Sequence, residues 1–256
     1  MILFPIRRQV FTVLIAAILF AFGVAQSHAQ TKSVMSPEEK KSIEGVVRDL
    51  LMKNPEIIIE AIQSMREREQ REGEQRAKAN LVKFQKELLN DPDTPVGANV
   101  KGDVTIVEFF DYRCGYCKRA FPDLQKIISS DKNIRFVYKE FPILGPDSMT
   151  ASKAGLAAWA VDKTKYEAFH RLMMDSKGGL PESRVMEFAT KAGYDAKALK
   201  KAMANPKIDE LIARNFELAK ALDINGTPAF IIGDEVIRGA VDLQALRAVI
   251  SKARGS

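Results

Sequence analysis

Residues 104–117 constrain this chain more than any other stretch. Val104 to Phe110 (VTIVEFF) is short and rich in β-branched and aromatic residues, the composition of a strand covered on both faces. Beyond it lie Cys114, Gly115, Tyr116 and Cys117, which hold the only two cysteines of 256 residues. Lys118 to Ser129 then carries helical spacing. A disulfide across two intervening residues closes so small a loop that it restrains little of the unfolded chain. Stability therefore gives no reason for the pair, and reactivity does.

The compartment follows from the first residues. Arg7 and Arg8 precede an apolar run from Val10 to Val24, and Ser27-His28-Ala29 places small residues before a cut at Gln30, the pattern of a secretory signal peptide over residues 1–29. The alternative is a membrane anchor, but the run is shorter than the roughly 20 residues a spanning helix needs, and polar residues follow it. Removing Arg7 and Arg8 leaves 37 of the 39 basic residues against 33 acidic ones. That excess is spread along the chain without aromatic interleaving, which argues against nucleic acid as a partner. Export to the periplasm sets an oxidising environment for the thiols.

Residues 30–97 read as helix without a sheet. Ser36-Pro37-Glu38-Glu39 supplies a cap, a proline at the first helical position and a glutamate at the third. Asn54-Pro55 breaks that helix and starts another, in which Ile57, Ile58, Ile59, Ile62 and Met65 are apolar around more of the circumference than one neighbour could cover. Arg66 to Lys78 is almost wholly polar, with Gly73 inside, and reads as a solvated helix or a flexible joint. Leu81, Phe84, Leu88 and Leu89 restore an apolar stripe.

From residue 98 strands and helices alternate. Asn133 to Phe141 is a second strand, residues 147–222 are helical (Ala151 to Val161, Tyr166 to Met174, Glu182 to Ala192, Ala196 to Leu222), and Ala229 to Ile232 with Glu235 to Arg238 form a hairpin about Gly233-Asp234. A last helix runs from a cap at Asp242 to Lys252. This order, in the α/β class, predicts a thioredoxin fold with an all-helical insertion, preceded by an N-terminal helical extension.

Thiol-disulfide exchange needs a thiolate. Cys114, where strand passes into helix, meets unpaired backbone N–H groups and the positive end of a helix dipole, so it is the expected nucleophile. Cys117, one turn inside, is the expected buried resolving thiol. Half of a zinc site is the competing reading of a lone Cys-x-x-Cys, but zinc wants four ligands and the mature chain offers only His170 besides. No metal and no cofactor is expected. Glu108, on the strand face shared with Ile106 and Phe110, is either a buried acid that exchanges protons with the thiols or a strand-end glutamate turned to solvent. Thr227-Pro228 opens an apolar strand and reads as an ordinary turn or as a cis bond presenting the Thr227 backbone to a peptide.

The run Glu108-Phe109-Phe110-Asp111-Tyr112-Arg113-Cys114-Gly115-Tyr116-Cys117, with Thr227-Pro228 and the helical insertion, resembles the DsbA family of periplasmic thiol-disulfide oxidoreductases. The likeness covers residues 98–256. It implies Cys114 as nucleophile, Cys117 as resolving cysteine, Glu108 as buried acid, Pro228 as cis-proline, and Thr227, Gly115 and Tyr116 at the substrate. Gly115-Tyr116 stands where the archetypal strong oxidase has Pro-His, so the imidazole donor to the thiolate is missing. The extension is similar to that of the suppressor-of-copper-sensitivity C branch, where it can mediate trimerisation, and threonine before the cis-proline resembles the disulfide isomerases.

These readings predict an exported enzyme that isomerises or reduces disulfides in exported cysteine-containing proteins, with a membrane redox partner and a homotrimeric state. Exposed Ile57 to Ile62 would form a large patch on a monomer, which self-association would bury. Folding of the extension back onto its own catalytic domain is the alternative. Other functions stay open: a monomeric dithiol oxidase, or a copper-sequestering or holdase protein using the two thiols or the apolar helices.

Overall fold

The computed structural model describes residues 35–255. The expected signal peptide and its cleavage point lie outside them. Among the described residues, no helix is long and apolar enough to cross a membrane.

The chain divides into two compact units, the first ending at Ala61 and the second beginning at Ile62. In the first, helix α1 (Pro37–Lys53) opens with the expected capping box: the Ser36 N–H donates to Glu39 Oε2 at 2.8 Å and the Glu39 N–H to Ser36 Oγ at 3.2 Å. α1 buries no residue, and Ile43, Val46, Val47 and Leu50 are exposed. After Asn54-Pro55 comes α2 (Glu56–Lys83). Residues 66–78 are thus helical rather than a joint. Within them Gly73 and Ala77 are buried, two small residues that with Leu81 make up the buried stripe of α2.

In the second unit the sheet has the order β1-β3-β2-β4-β5, from β1 (Val96–Ala98), β2 (Val104–Phe110), β3 (Ile134–Glu140), β4 (Ala229–Ile232) and β5 (Glu235–Arg238). β2 runs parallel to β3 and antiparallel to β4; the two edge strands pair antiparallel to their neighbours. The reading of residues 30–97 as helix without sheet is corrected at its end. Val96 pairs with Val137 of β3, a pairing fixed by a distant strand and invisible in three residues that include a glycine.

Alternation along β2 distributes the core to two faces. Ile106 and Phe110 pack with Phe121 and Leu124 of α4 (Gly115–Ser130), Phe169 of α6 (Tyr166–Asp175) and Leu246 of α10 (Leu243–Arg254). Val107 and Phe109 face the other way, against Leu81, Leu88 of α3 (Gln85–Leu89), and Leu218 and Leu222 at the end of α9 (Pro206–Ala221). α2 and α3 therefore help to cover one face of the sheet, which is why the apolar stripe returns at Leu81.

The insertion is α5 (Pro146–Val161), a short 3-10 turn, α6, α7 (Glu182–Lys191), α8 (Ala196–Met203) and α9. The single helix expected over 196–222 is two. Asn205 caps α9 by accepting from the Lys207 N–H at 3.1 Å, and Pro206 at its first position cannot continue α8. α4 also begins three residues earlier than its apolar spacing suggests, at Gly115, because Cys114 itself serves as the cap.

Candidate active site

Cys114 sits at the boundary between β2 and α4 with extended backbone angles (φ −69°, ψ 115°), and its Sγ accepts from the Cys117 N–H at 3.5 Å. On its other side Sγ lies 3.2 Å from the carbonyl oxygen of Thr227, to which it donates only while protonated. The Thr227-Pro228 bond is cis. Four of the expected positions, Cys114, Cys117, Thr227 and Pro228, are thus brought to one place from opposite ends of the second unit. Both cysteines are free thiols.

The two sulfurs are chemically unlike. Hydrogen bonding from the Cys117 thiol, joined by backbone N–H groups of Cys117 and Tyr116, brings the Cys114 pKa from 9.0 down to about 5, against the opposing effect of burial. Cys114 is therefore almost wholly ionised at neutral pH. Cys117 is fully buried, and desolvation, followed by its bond to Cys114, drives its pKa far above the usual thiol range.

Glu108 is 1% exposed, and its Oε1 has no hydrogen-bond partner. This excludes the solvent-facing alternative for its side chain. Burial first, and the Cys114 charge second, raise its pKa to about 8. It shares a small void with Phe121, Leu124, Tyr138 and His170. Gly115 and Tyr116 form the outer surface: a β-carbon at Gly115 would touch nothing, so glycine leaves the approach to Cys114 open, and Tyr116 is 59% exposed.

Residues outside the motif complete the site. Lys118 extends its ammonium to the C-terminal end of α6, donating to the carbonyls of Met173 (3.0 Å), Met174 (3.2 Å) and Ser176 (2.6 Å) and to Ser176 Oγ (3.0 Å). This fastens the first turn of α4 to the insertion, with a cation where the α6 dipole favours one. His170 of α6 is enclosed by the rings of Phe110, Phe121, Tyr138 and Tyr166, and its Nδ1 lies 3.0 Å from the Tyr112 hydroxyl. Burial lowers its pKa to about 3, so it is neutral. The sequence shows these residues, but partners more than fifty positions apart carry no local pattern. Among the described residues no three His, Cys, Asp or Glu side chains are grouped to hold a metal ion.

A reactive dithiol capping the helix after the central strand, facing a cis-proline loop, defines a redox-type centre on a thioredoxin fold. The family model of the DSBA-like thioredoxin domain matches residues 105–251, more than half of the chain, and the chain belongs to that family. Residues 39–72 match the N-terminal domain of the copper resistance protein ScsC. Among solved structures, the chain is 42% identical to a thioredoxin-like oxidoreductase from Silicibacter pomeroyi DSS-3, covering 67% of this chain and 98% of that one with a TM-score of 0.64. A linker-deletion mutant of ScsC from Proteus mirabilis is 28% identical over 88% of this chain and 99% of its own, with a TM-score of 0.66. A Na(+)/H(+) antiporter NhaA 1 from Salinispora arenicola is 26% identical over 64% of this chain, and the match spans only 25% of the antiporter's length.

Proposed function

We propose that this protein is a periplasmic thiol-disulfide oxidoreductase of the DsbA and ScsC type that isomerises or reduces disulfides in exported proteins. The observation that carries the reading is the placement of Cys114 as the cap of α4, accepting from the Cys117 N–H beside the cis Thr227-Pro228 bond, with Cys117 buried one turn behind it. The Cys114 thiolate attacks one sulfur of a substrate disulfide; a Cys114 mixed disulfide forms and the other substrate sulfur leaves as thiolate. Cys117 then loses its proton and attacks Cys114, which closes the Cys114-Cys117 disulfide and releases the second substrate thiolate. Attack on the mixed disulfide by another substrate thiolate instead returns Cys114 and leaves a rearranged substrate.

Glu108 is the base for Cys117. Part of its raised pKa comes from the Cys114 charge, which vanishes once Cys114 is in the mixed disulfide. Its carboxylate therefore becomes easier to form at the stage when Cys117 must give up a proton. Thr227, beside Pro228, offers backbone to the bound peptide, and Gly115 and Tyr116 form the wall it crosses. No cofactor beyond the dithiol is required. A stabilised thiolate favours the reduced state of the pair and so makes its disulfide the more oxidising; isomerisation additionally needs that reduced state to be maintained, a task for a membrane redox partner.

The exposed Ile57, Ile58 and Ile59 support self-association through the extension, with a trimer as the proposed state. Cys114→Ala is expected to abolish insulin reduction and the refolding of scrambled ribonuclease; retained activity in either assay would overturn the reading.

A further inference from the structure

Two guanidinium groups flank the cysteine pair with no carboxylate paired to them among the described residues. Arg113, immediately before Cys114, is exposed, and its Nη1 donates to the Leu144 carbonyl at 2.9 Å. Arg119, also exposed, lies over the Tyr116 ring at 4.1 Å from the centroid. A ring face and a carbonyl orient a guanidinium while leaving it its full charge. Neither arginine forms an ion pair among the described residues.

Asp111, two residues before Arg113 in sequence, forms no ion pair with either guanidinium. Asp111 is buried and turned inward, accepting from the N–H groups of Arg113 (2.7 Å), Ile143 (2.9 Å) and Leu144 (3.1 Å) and from Ser148 Oγ (2.8 Å). On the next turn of α4, Asp123 is paired with Lys126 at 2.8 Å. The same Asp111 bonds hold the loop that carries Ile143 and Leu144, which are 37% and 43% exposed, beside the turn leading into Cys114. The cysteine pair is thus flanked by two exposed guanidiniums without an ion-pair partner among the described residues, beside an apolar lip.

We propose that Arg113 and Arg119 determine substrate choice, selecting disulfides whose cysteine is flanked by an acidic residue and disfavouring those flanked by a basic one. The inference rests on exchange at Cys114 and adds the class of peptide that enters it. Because both guanidiniums are exposed, the selection acts largely on encounter and weakens with salt.

The test uses three fluorogenic disulfide peptides identical except for Glu, Gln or Lys next to the cysteine, with kcat/KM measured on the whole protein. The expected order is Glu, then Gln, then Lys, with about tenfold between the extremes at low salt. The ratio should contract as ionic strength approaches about 0.5 M. In the Arg113→Gln, Arg119→Gln double variant the Glu-to-Lys ratio should fall toward one, and in the Arg113→Lys, Arg119→Lys variant most of it should return. Using the ratio cancels any change in the reactivity of Cys114, which all three peptides meet alike. Equal rates with the unmodified protein, or a ratio that survives the double glutamine change, would overturn the proposal. Absence of turnover with every peptide would instead remove exchange at Cys114, and the selectivity with it.

Discussion

Glu108→Gln should make the protein more stable and less active at once, by amounts that depend on pH. In the native fold the carboxyl titrates near 8 instead of 4.5, because burial leaves its charge unsolvated. The sign follows from proton binding. Below pH 4.5 the acid is protonated in both folded and unfolded chains and costs nothing. Between 4.5 and 8 the unfolded chain releases the proton while the native one holds it, so stability falls as pH rises, by about 1.4 kcal/mol per pH unit. By pH 7 the loss amounts to about 3 kcal/mol, which glutamine avoids. The buried amide brings a cost of its own, but that cost is the same at every pH. The quantity to measure is therefore the difference between variant and parent in denaturant unfolding, taken near pH 4 and again at pH 7. It should move by about 3 kcal/mol in favour of the variant, and by less when the cysteines are oxidised, since the Cys114 charge supplies the second part of the shift. Resolution of a Cys114 mixed disulfide should meanwhile slow by about 100-fold and lose its rise toward pH 8. A stability difference that is flat from pH 4 to 7 would refute the account of a buried, protonated acid.

Titration of the thiolate absorbance near 240 nm should give a Cys114 midpoint near 5, and Cys117→Ala should raise it, since the Cys117 thiol is the largest contributor to the lowering; an unchanged midpoint would count against that cause. Ile58→Asp with Ile59→Asp should reduce the mass found by light scattering to that of one protomer, and an unaltered mass would exclude this apolar segment as the seam. Lys139→Met removes an ammonium that donates to Glu87 O at 2.8 Å and Thr94 Oγ1 at 2.9 Å. Losing two charge-assisted bonds, each about 1.5–3 kcal/mol, should speed hydrogen exchange of backbone amides across residues 86–98 by at least tenfold, and equal protection would show the bonds to be idle.

What could be read from sequence depended on how local its cause was. β2 is bounded at Val104 and Phe110 as its composition indicates, because a run buried on both faces announces itself. The hairpin of β4 and β5 was legible from Gly233, which adopts φ 62° at the turn. Cys114, Cys117 and Thr227-Pro228 could be picked out by residue type, and the structure shows them within one site. Features that depend on distant partners were not legible. β1 exists because β3 offers it an edge, and Lys118 and His170 find their hydrogen-bond partners on separate elements. The arginines framing the cysteines were in plain view, but their lack of counter-charges shows only once Asp111 is seen to be occupied elsewhere.

The ammonium of Lys139 also decides where this protein can be cut. It lies next to the C-terminal end of β3 with no exposed surface, and one of its two acceptors, the carbonyl of Glu87, belongs to α3, upstream of the first strand. A catalytic fragment begun at Asp93, just ahead of the sheet, would remove that acceptor together with Leu81 and Leu88, opening the underside of the sheet and leaving a buried cation half solvated. Anyone preparing a minimal enzyme from this chain should therefore place the new start upstream of Gly73, so that the last turns of the long helix stay with the domain they roof.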